Sequence, residues 1–519
     1  MIKNISIALA PADAADTTSV KRMAALECGV PAKRITGYHI IKRSIDARAK
    51  QARIVLQLEV FIDEPVAERT AFDPQLNNVA HAPHIVIVGA GPAGLFAALR
   101  AISLGYKPVV LERGKDVRSR RRDLAAMNKE GVVNPESNYC FGEGGAGTYS
   151  DGKLYTRSTK RGNVQRILQL FTHFGADESI TYDAHPHIGT NKLPQIITAM
   201  REQVIACGGE VLFDTKLTDI ILDGDSVKAV KAAGGVTIET DIVILATGHS
   251  ARDIFELLHH KNIAIECKPF ALGVRIEHPQ ALIDSIQYHC NVRDPYLPPA
   301  SYSVVAQEYG RGVFSFCMCP GGIIAPAATA PGEVVVNGWS PSKRNNPYAN
   351  SGTVVAVDEK DFAKYGFTGP LAGMQFQRMV ERKAFDIGGG KLVAPAQRMG
   401  DFTENKISST LPGCSYLPGI HSAAIKDVLP KEVNEALRKA VVDFGKKMRG
   451  YFTNEAVLVA TESRTSSPVR IPRDKETLQH TQIKGLYPCA EGAGYAGGIV
   501  SAAIDGERCI EAAIAWLQR

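Results

Sequence analysis

Two glycine-rich turns lie far apart in the sequence, and each stands between a strand-like and a helix-like run. The first closes the segment His-Ile-Val-Ile-Val-Gly-Ala-Gly-Pro-Ala-Gly from His84 to Gly94. In this G-x-G-x-x-G pattern Gly89 permits the tight turn, Gly91 lets the main chain approach a phosphate, and Gly94 lets the helix pack on the strand. The unpaired N–H groups at the helix start attract an anion. This turn therefore predicts a dinucleotide pyrophosphate site formed by Gly89, Gly91, Pro92, Ala93 and Gly94.

An acidic residue follows the next strand-like run. Lys107 to Leu111 is apolar and ends at Glu112, about 20 residues after Gly89, the spacing at which a carboxylate binds an adenosine ribose. Such a carboxylate repels a 2′-phosphate, so the pattern favours FAD or NAD over NADP. The neighbouring Arg113 opens a basic stretch, and we predict that it contacts the cofactor, whereas most of that stretch covers a solvated helix.

A second glycine tract and a third strand end supply further main-chain donors. Phe141 to Lys153 reads Phe-Gly-Glu-Gly-Gly-Ala-Gly-Thr-Tyr-Ser-Asp-Gly-Lys, with four glycines in its first seven residues. Such a tract cannot form a stable helix or central strand, but it can wrap a flat or anionic ligand. A flexible loop without a ligand is the alternative. The predicted cofactor contacts here are Gly144, Gly145, Gly147 and Thr148, together with Thr247 and Gly248 after the apolar run 241–245.

The second turn lies near the carboxyl end of the chain. Gly485 to Gly498 reads Gly-Leu-Tyr-Pro-Cys-Ala-Glu-Gly-Ala-Gly-Tyr-Ala-Gly-Gly and precedes a helix-forming run. An acid–glycine pair follows a short strand here, and a glycine pair then opens a helix whose N-terminus faces something negative. The predicted cofactor contacts are Glu491, Gly492, Gly497, Gly498 and Ile499.

Several of these motifs together resemble a known superfamily. The segments Gly89–Gly94, Leu111–Gly114, 246–248 and 489–498 are similar to those of the glutathione-reductase-like FAD superfamily. More narrowly, Phe141–Leu154, Phe316–Gly322, Thr465–Arg470 and Gly485–Gly498 resemble the bacterial family of uncharacterised FAD-dependent dehydrogenases, over nearly the whole chain. The resemblance implies bound FAD, a discontinuous FAD-binding domain and an inserted substrate domain, but no substrate.

In that superfamily the acid of the second turn holds the ribityl chain of FAD, and the following helix start faces the N1/O2 edge of the flavin. The present sequence departs from the common pattern in two places. Glu491 stands where Asp is common, and Ala490 stands where Gly is common. The longer carboxylate can still reach a ribityl hydroxyl.

Candidate catalytic residues lie just before the last strand. In the segment from Thr461 to Arg470, we predict that Arg464, Thr465 and Ser466 bind an acidic or carbonyl-bearing substrate and stabilise negative charge. The alternative is that they satisfy buried backbone groups at a domain junction. His249 is a candidate acid or base, with a structural histidine as the alternative.

Two thiols stand two residues apart in the middle of the chain. On a strand Cys317 and Cys319 would point to the same face, as a redox pair requires, but a C-x-C disulfide is strained and uncommon, so the pattern favours packing or loop cysteines over a redox pair. No H-E-x-x-H motif, C-x-x-C pair or carboxylate cluster is present, so we predict no metal.

Length, net charge and cysteine content limit the class of protein to which the chain can belong. The chain has 519 residues, enough for about three domains, and a net charge of only +6, which gives no strong evidence for nucleic-acid binding. Ten scattered cysteines favour a reducing compartment, and no apolar run of 18 residues is present, so we expect a cytoplasmic protein without membrane spans.

These patterns predict an α/β fold with three parts. A small N-terminal α/β domain spans residues 1–80, a discontinuous Rossmann-like FAD-binding domain spans 84–265 plus 473–519, and a β-rich α+β substrate domain is inserted at 266–472. The predicted function is an FAD-dependent oxidoreductase that transfers hydride between flavin N5 and a small-molecule substrate. NAD(P)H or the substrate itself is the predicted electron donor, and the oligomeric state is not specified. The alternatives are a flavin-dependent RNA-modifying enzyme and a non-catalytic FAD-binding redox sensor.

Overall fold

The structure is a computed structural model that describes residues 1–156 and 162–519, and these form a mixed α/β molecule. The strands of the described part are β1 (Ile2–Leu9), β2 (Ile35–Asp46), β3 (Arg53–Ile62), β4 (His84–Val88), β5 (Lys107–Leu111), β6 (Glu210–Leu212), β7 (Leu217–Asp223), β8 (Ser226–Ala232), β9 (Thr237–Glu239), β10 (Val243–Leu245), β11 (Glu266–Cys267), β12 (Phe270–Pro279), β13 (Val305–Glu308), β14 (Arg311–Cys319), β15 (Ile323–Pro326), β16 (Val336–Trp339), β17 (Tyr348–Val357), β18 (Ala394–Arg398), β19 (Ile420–Ser422), β20 (Val457–Glu462), β21 (Val469–Arg470) and β22 (Leu486–Pro488).

The α-helices of the described part lie between these strands or after them. They are α1 (Pro11–Ala15), α2 (Thr17–Cys28), α3 (Pro92–Ser103), α4 (Val117–Glu130), α5 (Val164–His173), α6 (Leu193–Ala206), α7 (Arg252–His260), α8 (Gln280–Tyr288), α9 (Glu359–Lys364), α10 (Ala372–Gly388), α11 (Met399–Thr403), α12 (Ile425–Val428), α13 (Lys431–Lys447) and α14 (Ile499–Leu517).

A five-stranded parallel sheet holds the predicted glycine turns. Its strand order is β22-β10-β4-β5-β6, and every pair in it is parallel. The central strands consist largely of buried Val, Ile and Leu, as expected for strands covered on both faces. From β4 the chain continues to β5 on one side, whereas the later strand β10 lies on the other side of β4. The strand order therefore reverses at β4, and α/β proteins bind ligands at such a topological switch point.

A seven-stranded sheet forms the second large layer. Its order is β13-β14-β17-β12-β20-β18-β19, and its neighbours are antiparallel except for the parallel pair β18–β19. Helices α10 and α13 pack against it and contribute to its apolar core. Strand β14 carries a register shift between Phe316 and Cys319, which is a β-bulge.

Arg43 makes a well-defined polar contact between the N-terminal sheet and the rest of the molecule. Strands β1, β3 and β2 form an antiparallel sheet, with α2 packed on it. On β2, Arg43 donates to both carboxylate oxygens of Asp183, at 2.6 and 2.8 Å. Its backbone N–H donates to Tyr182, and its carbonyl accepts from Ala184. Arg43 therefore connects the N-terminal sheet to the segment around Asp183.

The α/β class and the parallel sheet agree with the predicted Rossmann-like FAD-binding fold. Within residues 1–156 and 162–519, no helix combines the length and apolar character that crossing a bilayer requires.

Candidate functional site

The parallel sheet brings most of the predicted cofactor contacts to one edge. The carboxyl ends of its strands are followed by Cys489 to Glu491 after β22, by 246–249 after β10, by Gly89 to Gly94 after β4 and by Glu112 after β5. Because parallel strands end at the same edge, four separated segments meet above the switch point. Gly497, Gly498 and Ile499 reach this edge through α14.

The first turn shows why glycine is present at each of its three positions. Gly89 has a φ of 104°, in the left-handed region, and a Cβ built on it would lie 2.4 Å from the carbonyl oxygen of Ala246. A Cβ on Gly94 would lie 1.8 Å from the carbonyl oxygen of Gly89, so α3 packs directly on the turn. Around Gly91 the nearest described atom, the Cα of Gly145, is 4.0 Å from a built Cβ. Gly91 therefore leaves an open face on the helix start.

The two predicted helix starts meet. Helix α14 crosses α3 so closely that a Cβ on Gly506 would lie 2.1 Å from the carbonyl oxygen of Ala93. At their N-termini, a Cβ on Gly147 would be 3.2 Å from Pro92 and 3.5 Å from Ile499. Neither helix start has a side-chain cap. Two sets of unpaired N–H groups thus converge from points 400 residues apart in the chain.

The glycine-rich tract is held against this junction by a buried arginine on α4. Arg120 is 0% exposed, and its guanidinium donates to the carbonyl oxygens of Asn138, Tyr139, Glu143 and Gly145 at 2.8 to 2.9 Å. It also lies 3.5 Å from the hydroxyl of Thr148. Arg120 was predicted only as part of a solvated basic stretch; its role was missed because its partners are carbonyl groups, which leave no charge pattern in a sequence.

Glu112 lies at the end of β5 with its carboxylate buried. One oxygen accepts the N–H groups of Gly114 and Gly142, and the other accepts that of Ala90, each at 2.9 Å. A carboxylate has about four acceptor sites. Three backbone bonds therefore leave room for one ribose hydroxyl.

Arg113 is engaged elsewhere. Its guanidinium binds Glu136 and Asp253, at 2.7 and 2.8 Å, and stacks 4.2 Å from the ring centroid of Phe141. Two carboxylates thus share the Arg113 guanidinium, and its predicted contact with the cofactor stays a prediction.

His249 and Glu491 form a pair across two strand ends. The Nδ1 atom of His249 is 3.3 Å from a carboxylate oxygen of Glu491, and the other oxygen lies 3.3 Å from a Cβ built on Gly497. Gly248 has a φ of 72° and open space where a Cβ would stand, while a Cβ on Gly492 would meet the Gly248 carbonyl at 2.7 Å. The acid of the second turn and the candidate acid–base histidine thus lie together.

A buried cluster fixes the turn that carries Glu491. Arg473 donates to both oxygens of Asp505, which also accepts the N–H of Ala490 at 2.7 Å. Ala490, which stands where Gly is common in the superfamily, has a φ of 56° and is therefore in the left-handed conformation that favours glycine. Cys489, Asp505 and Cys509 have ligand atoms within 4.8 Å of one another. Because Arg473 already neutralises the Asp505 carboxylate, we assign Cys489, Asp505 and Cys509 to holding the turn.

The structure corrects the predicted role of Arg464. All three of its guanidinium nitrogens donate to buried partners, namely Glu381, Glu333 and the hydroxyl of Thr329. Glu381 also binds Arg252 of α7 at 2.7 Å, and the two arginines hold the pKa of Glu381 down at about 2 against the effect of burial. Arg464 thus belongs to a buried ion network between α7 and α10, and its partners are side chains rather than the backbone groups of the alternative interpretation.

Thr465 and Ser466 follow Arg464 in the chain. The hydroxyl of Thr465 donates to the carbonyl of Ala271 at 2.7 Å and accepts its N–H at 3.3 Å, so it continues the pairing of β12. The hydroxyl proton of Thr465 is thus used by a backbone carbonyl, and its predicted substrate contact stays a prediction. Ser466 is half-buried beside it, and its predicted substrate contact stays a prediction.

Three charged residues in or beside the seven-stranded sheet were missed. Arg275 on β12 and Glu462 on β20 are both 0% exposed and pair at 2.8 Å. Lys153, at the end of the glycine-rich tract, donates to the carbonyl of Met318 on β14. Isolated charges within apolar strand runs were the available signal for Arg275 and Glu462, since unpaired charges are rarely buried. Their pairing joins positions 187 residues apart.

The chain's own residues fit FAD at this edge. Gly91 and Gly498 present helix starts with no side chain over them, and Gly498 has only the hydroxyl of Ser501 within 4 Å of a built Cβ. Uncapped N–H groups need acceptors, and phosphate oxygens and the anionic flavin edge provide them. A site with these features on a parallel α/β sheet defines a dinucleotide-binding flavoprotein fold.

The family membership rests on a relative that covers nearly the whole chain. The chain is 41% identical over 498 residues to an uncharacterized protein of Clostridium beijerinckii, covering 92% of each, and it belongs to the same family. Residues 269–465 match the model "FAD-dependent protein, C-terminal domain-like", and residues 1–61 match a domain of unknown function. The match of residues 269–465 to the FAD-dependent model confirms the cofactor prediction: FAD is the cofactor.

More distant similarities were also found. The chain is 25% identical over 182 residues to the thiamine thiazole synthase of Aeropyrum pernix, covering 32% of this chain and 55% of that one. A solved structure of a flavoprotein/dehydrogenase from Cytophaga hutchinsonii aligns with 84% of this chain and 78% of its own, at 11% identity and a TM-score of 0.36.

Proposed function

We propose that the protein is an FAD-dependent oxidoreductase that transfers hydride between flavin N5 and a small molecule. The observation that carries the proposal is the junction at Gly147, where the starts of α3 and α14 meet. Residues 84–265 with 473–519 form the FAD-binding domain in this proposal, residues 266–472 cover the flavin and bind substrate, and residues 1–80 form a separate N-terminal domain.

Each part of the site then has a task. The N–H groups at the start of α3 hold the pyrophosphate, and the fourth acceptor position of Glu112 binds a ribose hydroxyl. Glu491, held by His249, binds the ribityl chain. The start of α14 places its N–H groups and positive dipole end where negative charge develops on reduction. FAD supplies the hydride chemistry when bound, and the protein supplies orientation and exclusion of water.

The test separates cofactor binding from folding. We expect Gly91→Ala to lose flavin absorbance while keeping the wild-type melting temperature of the apoprotein, because its Cβ has space but points at the phosphate position. Gly312→Ala on β14 is the matched control: its φ is not in the left-handed region, its Cβ would meet only Gln307 at 3.7 Å, and FAD should remain bound. Equal FAD content in both variants would contradict the proposed site.

A second measurement tests the reaction class. Anaerobic mixing of the FAD-loaded wild type with NADH, NADPH and candidate substrates should bleach the flavin absorbance with at least one of them. A flavin that is reduced by dithionite but by none of these compounds would favour the redox-sensor alternative.

A further inference from the structure

A cleft of about 950 Å³ lies between the N-terminal sheet and two helices that pack on the seven-stranded sheet. One wall is the end of β2 with the turn after it, residues 44–48, together with Val55 of β3. The other wall is formed where α8 and α13 end, by residues 285–287, 289 and 447–449. None of these residues belongs to the segments of the proposed FAD-binding domain. We refer to this cavity as the basic cleft.

Both walls of the basic cleft are held by side-chain contacts. On β2, Arg43 directly precedes the first lining residue and is bound to both carboxylate oxygens of Asp183. On the other wall, the side-chain amide of Gln287 on α8 donates to the sulfur of Met448, the residue after α13, at 3.1 Å. The basic cleft is therefore a built cavity between two fixed elements.

The basic cleft carries an excess of positive charge. Three cations line it, and Arg48 is already paired with Asp46 at 2.7 Å. Lys447 donates to the carbonyl of Val305, which leaves its charge without a carboxylate partner. Within residues 1–156 and 162–519, the guanidinium of Arg449 has no hydrogen bond and no ion pair. Because a guanidinium binds a phosphate through two parallel N–H bonds, Arg449 is suited to anchor a phosphate group.

The ends of two helices supply acceptors to the same cavity. Helix α8 ends at Tyr288 and α13 at Lys447, and the residues at both ends line the basic cleft. The last carbonyl groups of a helix have no partner within it and accept N–H or O–H donors. The negative dipole ends of the two helices also oppose an anion placed against them. The basic cleft therefore favours a ligand that carries hydrogen-bond donors as well as negative charge over a simple inorganic anion.

Apolar side chains complete the lining. Ile45 of β2, Ile286 of α8 and Met448 all face the cavity, and Ile45 is 39% exposed. Such side chains give a flat ring system a surface to cover, and the flexible thioether of methionine adapts to its shape. Cavities of about 300–1,000 Å³ hold small-molecule ligands, so the volume of the basic cleft suits a ligand with several linked groups.

We propose that the basic cleft binds a mononucleotide. Its phosphates bind Arg449 and Lys447, its base covers Ile45 and Ile286, and its sugar hydroxyl or base N–H groups donate to the carbonyl groups where α8 and α13 end. This ligand combines the negative charge, the donors and the flat apolar part that the lining requires. The site gives a role to the N-terminal domain, which matches a domain of unknown function over residues 1–61 and supplies one wall. It goes beyond the proposed function and does not depend on hydride transfer.

The first test is isothermal titration calorimetry of the full-length protein saturated with FAD. Saturation keeps the nucleotide half of the FAD site occupied, so that a second nucleotide cannot bind there. We expect ATP to bind at one site, and adenosine and inorganic tripolyphosphate to bind about tenfold more weakly or less, because each has only part of the required groups. Tripolyphosphate binding as tight as that of ATP would overturn the role of the base. Absence of binding by ATP, GTP, CTP and UTP would overturn the site, also where a single-stranded RNA oligonucleotide binds.

The second test locates the binding with three variants. Arg449→Ala should weaken ATP binding about tenfold or more, and Ser285→Trp should abolish it by filling the basic cleft without a change of charge. Lys431→Ala is the matched control, because it removes an exposed cation at the other end of α13, and its affinity should equal that of wild type. Wild-type affinity in Arg449→Ala, an exposed position whose replacement leaves the fold intact, would overturn the location. FAD content and melting temperature are measured on the same samples, so that failure of the proposed FAD site is recognised separately.

Discussion

At the scale of single residues, the site depends on buried cations that bind backbone carbonyls. Arg120 is the clearest case, since its guanidinium is fully buried and its hydrogen bonds go to main-chain oxygens of the glycine-rich tract. Burial accordingly lowers the pKa of Arg120. A tract with so many glycines has a high conformational entropy when unfolded, so one rigid donor with several hydrogen bonds is an effective way to order it.

We therefore expect Arg120→Lys to weaken both folding and FAD binding. An ammonium cannot reach four carbonyl groups in a plane, which leaves buried acceptors unsatisfied at about 1–3 kcal/mol each. Thermal melting of the apoprotein and retained flavin absorbance measure the two effects. Arg122→Lys is the matched control on the exposed face of the same helix and should change neither. A stable, fully flavinated Arg120→Lys would contradict the ordering role.

The same scale shows what the sequence could and could not predict. The functions of Gly89, Gly91 and Gly94 are encoded within six residues, because backbone conformation and helix packing at a turn are local. The partners of Arg464 are not local: Glu381 and Glu333 lie 83 and 131 residues away. Nothing in the spacing of the TESRTSS segment distinguishes an arginine that binds a substrate from one that completes a buried network.

At the scale of elements, the central feature is the crossing of α3 and α14. Gly506 in the interior of α14 meets the carbonyl of Ala93, so the two helix backbones touch where a side chain would normally separate them. This close approach brings both N-termini to Gly147. The runs that form these helices and strands β4 and β5 were predictable from apolar periodicity, but the crossing was not, because it depends on one glycine in a long helical run.

The substitution Gly506→Ala tests this crossing, because its effects on helix propensity and on packing oppose each other. Alanine is about 1 kcal/mol better than glycine in a helix interior. Gly506→Ala should nevertheless destabilise the protein, by about 1–3 kcal/mol, because the new methyl group would overlap a backbone carbonyl that cannot move without the helix. Differential scanning fluorimetry and FAD titration give the two readouts. A higher melting temperature would show that the helices are not in contact at this point.

At the scale of the whole molecule, folding stability is coupled to pH through the centre of the seven-stranded sheet. His278 on β12 is 0% exposed, donates through Nε2 to the carbonyl oxygen of Tyr451 at 2.8 Å, and lies tilted against the Tyr451 ring with 4.5 Å between the ring centroids. Burial lowers the pKa of His278 to about 4. The imidazole is therefore neutral in the folded protein, and its Nε2 donates to the carbonyl in that state.

This histidine should make the protein sensitive to mild acid. The unfolded chain binds a proton near pH 6.5 and the folded chain only near pH 4, so the contribution of His278 is complete above pH 6.5 and is lost as the pH falls towards 4. The shift corresponds to about 3 kcal/mol. We expect melting temperatures of His278→Gln and wild type to differ most above pH 6.5 and to converge near pH 4. His421→Gln, at an exposed position, is the control. Parallel pH curves for His278→Gln and wild type would contradict this assignment.

The convergence of α3 and α14 also sets the order of events during protein synthesis. Gly91 leaves the ribosome about 400 residues before Gly498, an interval of about 20–80 s at 5–20 residues per second. In the proposed site, the nascent chain has only the phosphate-binding helix start during that interval, so a cofactor would be held at its phosphates but not at the flavin ring. Stable capture of the vitamin-derived group is thus a post-elongation step, and premature termination before α14 would yield a colourless polypeptide.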